Sequence, residues 1–308
     1  FDMVYILLII GFLLLIKGAD FFVEGSSSVA RLLKVPPVVI GLTIVAMGTS
    51  APEASVSITA GLSGNNDIAL SNVIGSNIFN LLVVIGASAV IRPFQTDREI
   101  MKRDIPVNIA ASVLLLFLLW DLKLGRFEGI LLLILLAAYL VWIVAGAVRR
   151  RADAADEVQV LPPLKSAVYI AAGLAAIIWG GDLVVDSASE IARIFGMSQT
   201  LIGLTIVALG TSLPELVTSV VASRKGESGL ALGNAVGSCL FNILFILGMS
   251  SSLSPLGGIG DNLIDIGVLI AVSAVIAVCC FTGKKVTRLE GLACIVFYIG
   301  YMSYAIIR

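Results

Sequence analysis

A chain of 308 residues that is 58% hydrophobic and 13% charged, with a mean hydropathy of +1.06, leaves no room for a sizeable soluble domain. A net charge of −1 gives no basic footprint for nucleic acid, and the lack of any histidine removes the commonest proton shuttle and transition-metal ligand. The four cysteines, Cys239, Cys279, Cys280 and Cys294, lie in apolar segments without zinc-type spacing and read as small buried hydrophobes.

Apolar runs near twenty residues recur along the chain, each long enough to cross a bilayer core of roughly 30 Å as a helix. The predicted spans are 3–33, 36–61, 67–91, 105–120, 127–148, 164–194, 198–222, 229–252, 263–282 and 288–307. The first lacks a basic leader and a cleavage site and reads as a true span. It and the sixth are too long to stand perpendicular and should tilt. The polar stretch 149–163 divides the chain into a five-span unit, 1–148, a linker, and a second five-span unit, 164–308.

The second span carries GLTIVAMGTSAPE (41–53) and the seventh carries GLTIVALGTSLPE (203–215), identical at eleven of thirteen positions. Each puts a carboxylate, Glu53 or Glu215, into an apolar stretch, where ionisable residues are costly and mark function. Pro52 cannot donate to the Gly48 carbonyl and its ring clashes there; Pro214 and Gly210 repeat the arrangement. Both helices should break, freeing carbonyls around Ala46–Thr49 and Ala208–Thr211. Irregular backbone at that depth must be buried in protein or line a wet cavity. Carbonyls, the hydroxyls of Thr49, Ser50, Thr211 and Ser212, and the two glutamates then form a hard oxygen set suited to Na⁺ or Ca²⁺.

The third and eighth spans carry SNVIGSNIFN (71–80) and GNAVGSCLFN (233–242). Asn72, Ser76 and Asn80 recur at helical spacing as one polar stripe, repeated by Asn234, Ser238 and Asn242. Taken alone, each hydroxyl or glycine reads as packing glue between membrane helices. The duplicated glutamates, prolines and stripes together point to one site built from two halves.

A single offset of 162 residues, with no gap, superposes the two halves and maps Glu53 on Glu215 and Asn80 on Asn242. Five spans per half is odd, so the second half must enter the membrane from the opposite side, as in many secondary transporters. Lysine and arginine set the orientation: fifteen fall on one side, around 31–34, 92–103, 149–165, 224–225 and 284–288, against four on the other. The expectation is an all-α polytopic membrane protein of ten transmembrane helices in two inverted repeats, both termini outside. Asp20, Glu24, Asp182, Asp186 and Glu190 lie toward the ends of the long spans and read as interfacial, with a cation funnel as the alternative.

At these motifs the chain resembles the sodium/calcium exchanger family, whose repeats pair G-[TS]-S-x-P-[ED] with G-S-x-x-x-[ND]. GTSAPE with GSNIFN and GTSLPE with GSCLFN supply both. The resemblance implies that Glu53 and Glu215 bind Ca²⁺ with the carbonyls of Thr49 and Thr211. It implies that Na⁺ shares the carboxylates and uses Ser50, Ser76, Ser212, Ser238 and the carbonyls of Ala46 and Ala208. Asn80 and Asn242 would line the middle, and the long first and sixth spans would slide to switch access. Some relatives, including potassium-dependent exchangers, have Asp where this chain has Asn242, and the short linker lacks the calcium-sensing domains of animal exchangers. The implied protein is a prokaryotic plasma-membrane antiporter without cofactor, nucleic acid or protein partner, with Ca²⁺ and Na⁺ as cargo and the bilayer as its surroundings. The alternative is a proton/calcium antiporter, although proton-coupled relatives read G-N-x-x-E at this element. A cation channel fits less well, and an enzyme has no nucleophile–histidine pair to use.

Overall fold

The computed structural model describes residues 2–96, 98–149, 160–197, 202, 206, 208–257, 262–283 and 285–307. The helices are α1 (Asp2–Leu32), α2 (Pro37–Thr49), α3 (Ala51–Leu62), α4 (Asn66–Ile91), α5 (Ile105–Leu118), α6 (Arg126–Arg149), α7 (Pro163–Ile194), α8 (Leu213–Lys225), α9 (Ser228–Leu253), α10 (Asn262–Gly283) and α11 (Arg288–Ile307). The fold is all-α and polytopic. Two short antiparallel ribbons close loops: β1 (Phe94–Gln95) with β4 (Lys285–Val286), and β2 (Lys123–Leu124) with β3 (Leu256–Gly257).

Among the described residues seven helices are long and apolar enough to cross a bilayer, or eight if α2 and α3 count as one bent span. Ten were expected, and the difference has two sources. The fourth expected span is α5, only 14 residues, entered through a π-helical turn at Ile100–Asp104. The seventh is described from Ala208 onward, with only Ile202 and Ile206 before it. Residues 203–205 and 207 of the duplicated element lie outside the described residues, as do residues 150–159 of the 149–163 linker.

The helices form an inner and an outer layer. The apolar window of α9 is 94% buried and that of α4 72%, against 33% for α1, 28% for α7 and 17% for α11. Helices that are apolar all round but face outward are what lipid requires. The outer aliphatics of α1, such as Ile9 and Leu13, stay exposed, while Leu15, Ala19 and Phe22 turn inward.

Close helix crossings use glycine, because association in lipid depends on backbone approach. A Cβ on Gly11 would stand 3.0 Å from the Gly180 carbonyl oxygen, and one on Gly18 2.8 Å from that of Gly173. Thus α1 and α7 cross antiparallel. A Cβ on Gly86 would meet the Gly291 carbonyl oxygen at 2.8 Å, and one on Gly129 that of Gly248 at 2.7 Å. In each case the two contacts exchange under the shift of 162 residues. The ribbons do the same, since Phe94 pairs with Val286 and Leu256 with Leu124.

Candidate functional site

The α2–α3 pair bends by 51°. The break falls at Ser50 (φ −82°, ψ 10°), and Pro52 occupies the first turn of α3, where a missing N–H costs nothing. Ser212 (φ −92°, ψ 4°) and Pro214 take the same places at the start of α8. Glu53 and Glu215 each lie in the first turn of their helix, where its partial positive end favours a carboxylate.

Ser50 and Ser212 occupy N-cap positions, yet neither side chain caps its own helix. A capping serine ordinarily accepts from its own first-turn N–H groups. Here each hydroxyl crosses to the opposite half instead. Ser50 Oγ donates to Glu215 Oε1 at 2.7 Å, and Ser212 Oγ donates to Glu53 Oε1 at 2.8 Å. Ser238 donates to Glu215 Oε1 at 3.4 Å, and Ser76 Oγ lies 3.1 Å from Ser212 Oγ.

A second layer holds the backbone in place. Asn72 Nδ2 donates to Ser57 Oγ at 2.8 Å and to the Glu53 carbonyl at 3.4 Å. Asn234 Nδ2 donates to Ser219 Oγ at 2.9 Å and to the Glu215 carbonyl at 3.3 Å. The Thr49 hydroxyl lies 3.0 Å from Asn234 Oδ1 and 3.1 Å from the Val45 carbonyl. Asn80 and Asn242 stand one turn beyond Ser76 and Ser238, and each opens a π-helical turn, Asn80–Val84 and Asn242–Leu247. Such turns recur at functional sites.

Glu53, Glu215, Asn80 and Asn242 are all 0% exposed. Even so, Glu53 Oε2, Glu215 Oε2, Asn242 Oδ1, both amide atoms of Asn80 and Thr211 Oγ1 have no hydrogen-bond partner among the described residues. No lysine or arginine pairs with either glutamate among those residues. Buried polar atoms are almost always satisfied, and an unpaired buried carboxylate costs several kcal/mol. A set of orphaned oxygens from two helix breaks and two flanking helices is what an arriving cation would complete.

The structure brings together Thr49, Ser50, Glu53, Ser76, Ser212, Glu215 and Ser238. The Ala46 carbonyl was expected to be freed by the break, but it accepts from Ser50 N–H at 3.0 Å, and the Thr49 hydroxyl lies 3.4 Å from it. Ala208 begins the helical stretch Ala208–Gly210, and here Ser212 N–H reaches the Leu209 carbonyl, at 3.2 Å. Asn72 and Asn234 act on the glutamate backbones and are themselves held by Ser57 and Ser219, a role the polar stripe did not announce. Asn77, between the stripe positions, was missed altogether.

A groove of about 340 Å³ reaches the breaks, lined by Pro52, Gly210, Thr211 and Pro214 and, farther out, by Asp182 and Asp186 of α7. The counterparts at the other end of the fold are engaged: Lys225 Nζ lies 3.3 Å from Asp20 and 4.0 Å from Glu24, and Arg31 pairs with Glu227 at 2.6 Å. Glu190 pairs with Arg193.

The sequence profile described as sodium/calcium exchanger protein matches residues 3–145 and 165–307, nearly the whole chain. The chain belongs to the sodium/calcium exchanger family. Among its relatives is the sodium/calcium exchanger MaX1 of Methanosarcina acetivorans, 31% identical over 97% of each chain. Another is the inner membrane protein YrbG of Escherichia coli, 37% identical over 89% of this chain and 88% of its own. The solved structure of the sodium-calcium exchanger NCX_Mj, soaked with Na⁺ and Ca²⁺, superposes with a TM-score of 0.87 at 32% identity, covering 98% of both chains. As a member of this family, the chain is a multi-pass membrane transporter of the cation/calcium antiport class.

Proposed function

We propose that this exchanger swaps Na⁺ for Ca²⁺ at one mid-membrane site built from Glu53 and Glu215. The observation that carries the reading is the pair of fully buried carboxylates, each holding one oxygen on a serine of the opposite half and leaving the other unpaired among the described residues. Two such charges balance one Ca²⁺, or they hold sodium ions that share the same oxygens. The remaining ligands in this reading are Ser50, Ser76, Ser212, Ser238, Asn80 and Asn242, with Thr49, Thr211 and the carbonyls of Ala46 and Ala208. Ca²⁺ and Na⁺ are cargo here, and no resident cofactor takes part.

The chain then works as two inverted five-helix repeats, 1–148 and 164–308, joined by a cytoplasmic linker at 149–163, with ten spans and both termini outside. The exchange of the four glycine contacts given above and of the two ribbons under the 162-residue shift supports the repeat, and the antiparallel α1–α7 crossing supports its inversion. A prokaryotic plasma membrane suits the bacterial and archaeal relatives. Access switches when α1 and α7 move against the inner helices. An empty site would carry two uncompensated buried charges across that movement, which opposes leak without cargo.

The names of MaX1 and NCX_Mj favour sodium as the counterion. So do the serine hydroxyls laid against each carboxylate, because they add neutral oxygens that a proton does not need. Ca²⁺ binding to the purified protein, measured by calorimetry, should weaken as Na⁺ rises and stay unchanged with K⁺. Binding indifferent to Na⁺ but displaced by acid would move the chain to the proton/calcium antiporters.

A further inference from the structure

Asn77 lies on α4, is completely buried, and belongs to no ligand set given above. Its Nδ2 donates to the Cys239 carbonyl of α9 at 3.1 Å. A backbone carbonyl can only accept, so the Asn77 amide has one allowed orientation, with its NH₂ toward Cys239. Its Oδ1 therefore faces the other way and accepts from Asn242 Nδ2 at 3.0 Å. That bond fixes a second amide in turn. The NH₂ of Asn242 is held by Asn77, and Asn242 Oδ1 is left without a hydrogen-bond partner among the described residues. The opposite rotamer would aim N–H groups into the site, where a cation would be repelled.

The two halves part company at this position. The 162-residue shift places Cys239 where the first half has Asn77, and a thiol cannot orient an amide in the same way. Asn80 accordingly has neither amide atom engaged among the described residues. The protein sets one of its two central amides in advance and leaves the other free to turn.

We propose that Asn77 is a positioning residue that turns the Asn242 carbonyl toward the ion, making Asn242 a preset oxygen and Asn80 an adaptable one. The inference rests on reading Asn242 as an ion ligand. A relay from a backbone carbonyl through Asn77 to Asn242 costs the ion no reorganisation when it binds, which is how preorganised sites gain affinity.

A double-mutant cycle on Ca²⁺ binding to the full-length purified protein tests it. Asn77→Ala should raise the Ca²⁺ dissociation constant by about tenfold, the order expected for a lost interaction with a charged group. Asn242→Asp presents an oxygen whichever way it turns, so it no longer needs Asn77. The Asn77 Oδ1 then faces a carboxylate oxygen with no hydrogen between them, so adding Asn77→Ala to Asn242→Asp should leave Ca²⁺ affinity within about twofold or raise it. Asn77→Leu, nearer in volume, serves in place of the alanine variant if that one does not stay folded by thermal unfolding. An equal loss in both backgrounds means that Asn77 only packs, and the proposal fails while the site reading stands. If Asn242→Asp leaves Ca²⁺ and Na⁺ binding as in the parent, Asn242 is not a ligand and both readings fall.

Discussion

Glu53→Gln and Glu215→Gln change one charge each with almost no change of shape. The amide oxygen of a glutamine at 53 can still accept from Ser212, and one at 215 can still accept from Ser50 and Ser238, so the contacts of 2.8, 2.7 and 3.4 Å survive. What changes is the unpaired Oε2, which becomes an NH₂ facing the site. At about 4 Å and an effective dielectric near 20, a carboxylate attracts a monovalent cation by roughly 4 kcal/mol and a divalent one by roughly 8. The cost of dehydrating each ion is the same in parent and variant and cancels from the comparison. The loss is therefore about 4 kcal/mol larger for Ca²⁺ than for Na⁺, close to 10³-fold in relative affinity. Either variant should insert, keep or raise its thermal stability, and lose Ca²⁺ uptake in proteoliposomes while retaining weak Na⁺ binding. Ca²⁺ uptake within threefold of the parent by either variant, a difference of only about 0.7 kcal/mol, would remove that residue from the site.

Ser76 and Ser238 should act from opposite faces of the membrane. Ser76→Ala and Ser238→Ala are expected to weaken Na⁺ activation from different sides, and equal effects on one side would refute the inverted placement. At the centre, an asparagine at 242 leaves two formal charges to balance one Ca²⁺, with none over for potassium. The parent should exchange without K⁺, whereas Asn242→Asp adds a like charge repelled by roughly 4 kcal/mol at about 4 Å and should gain dependence on potassium or pH. A parent that needs K⁺ in sodium-loaded vesicles would show that Asn242 does not set ion dependence.

Much of this site was legible in the sequence because the chain states it twice. Glu53 and Glu215 stood out as charges in apolar runs, and Pro52 and Pro214 placed the breaks within a turn of where they fall. The 162-residue offset then paired Thr49 with Thr211, Ser50 with Ser212, Ser76 with Ser238 and Asn80 with Asn242. Repetition also hid things. Asn77 has Cys239 as its counterpart, so a search for matched polar residues passes over it, although it holds the Asn242 amide. The π-helical turns at Asn80 and Asn242 leave no composition signal. Proline loss of a hydrogen bond suggested freed carbonyls over Ala46–Thr49, but the chain bends at Ser50, which lets Ser50 N–H still reach the Ala46 carbonyl. Hydropathy located the segments well, yet length at 105–118 depends on a π-helical entry that no window average reveals.

The most direct measurement is uptake of radioactive Ca²⁺ into proteoliposomes preloaded with Na⁺, K⁺ or choline, or held under a proton gradient. The account predicts rapid accumulation in the sodium-loaded vesicles alone, abolished when Na⁺ is present at equal concentration on both sides. Ca²⁺ entry into choline-loaded vesicles at the same rate, with no counterion to exchange, would contradict it.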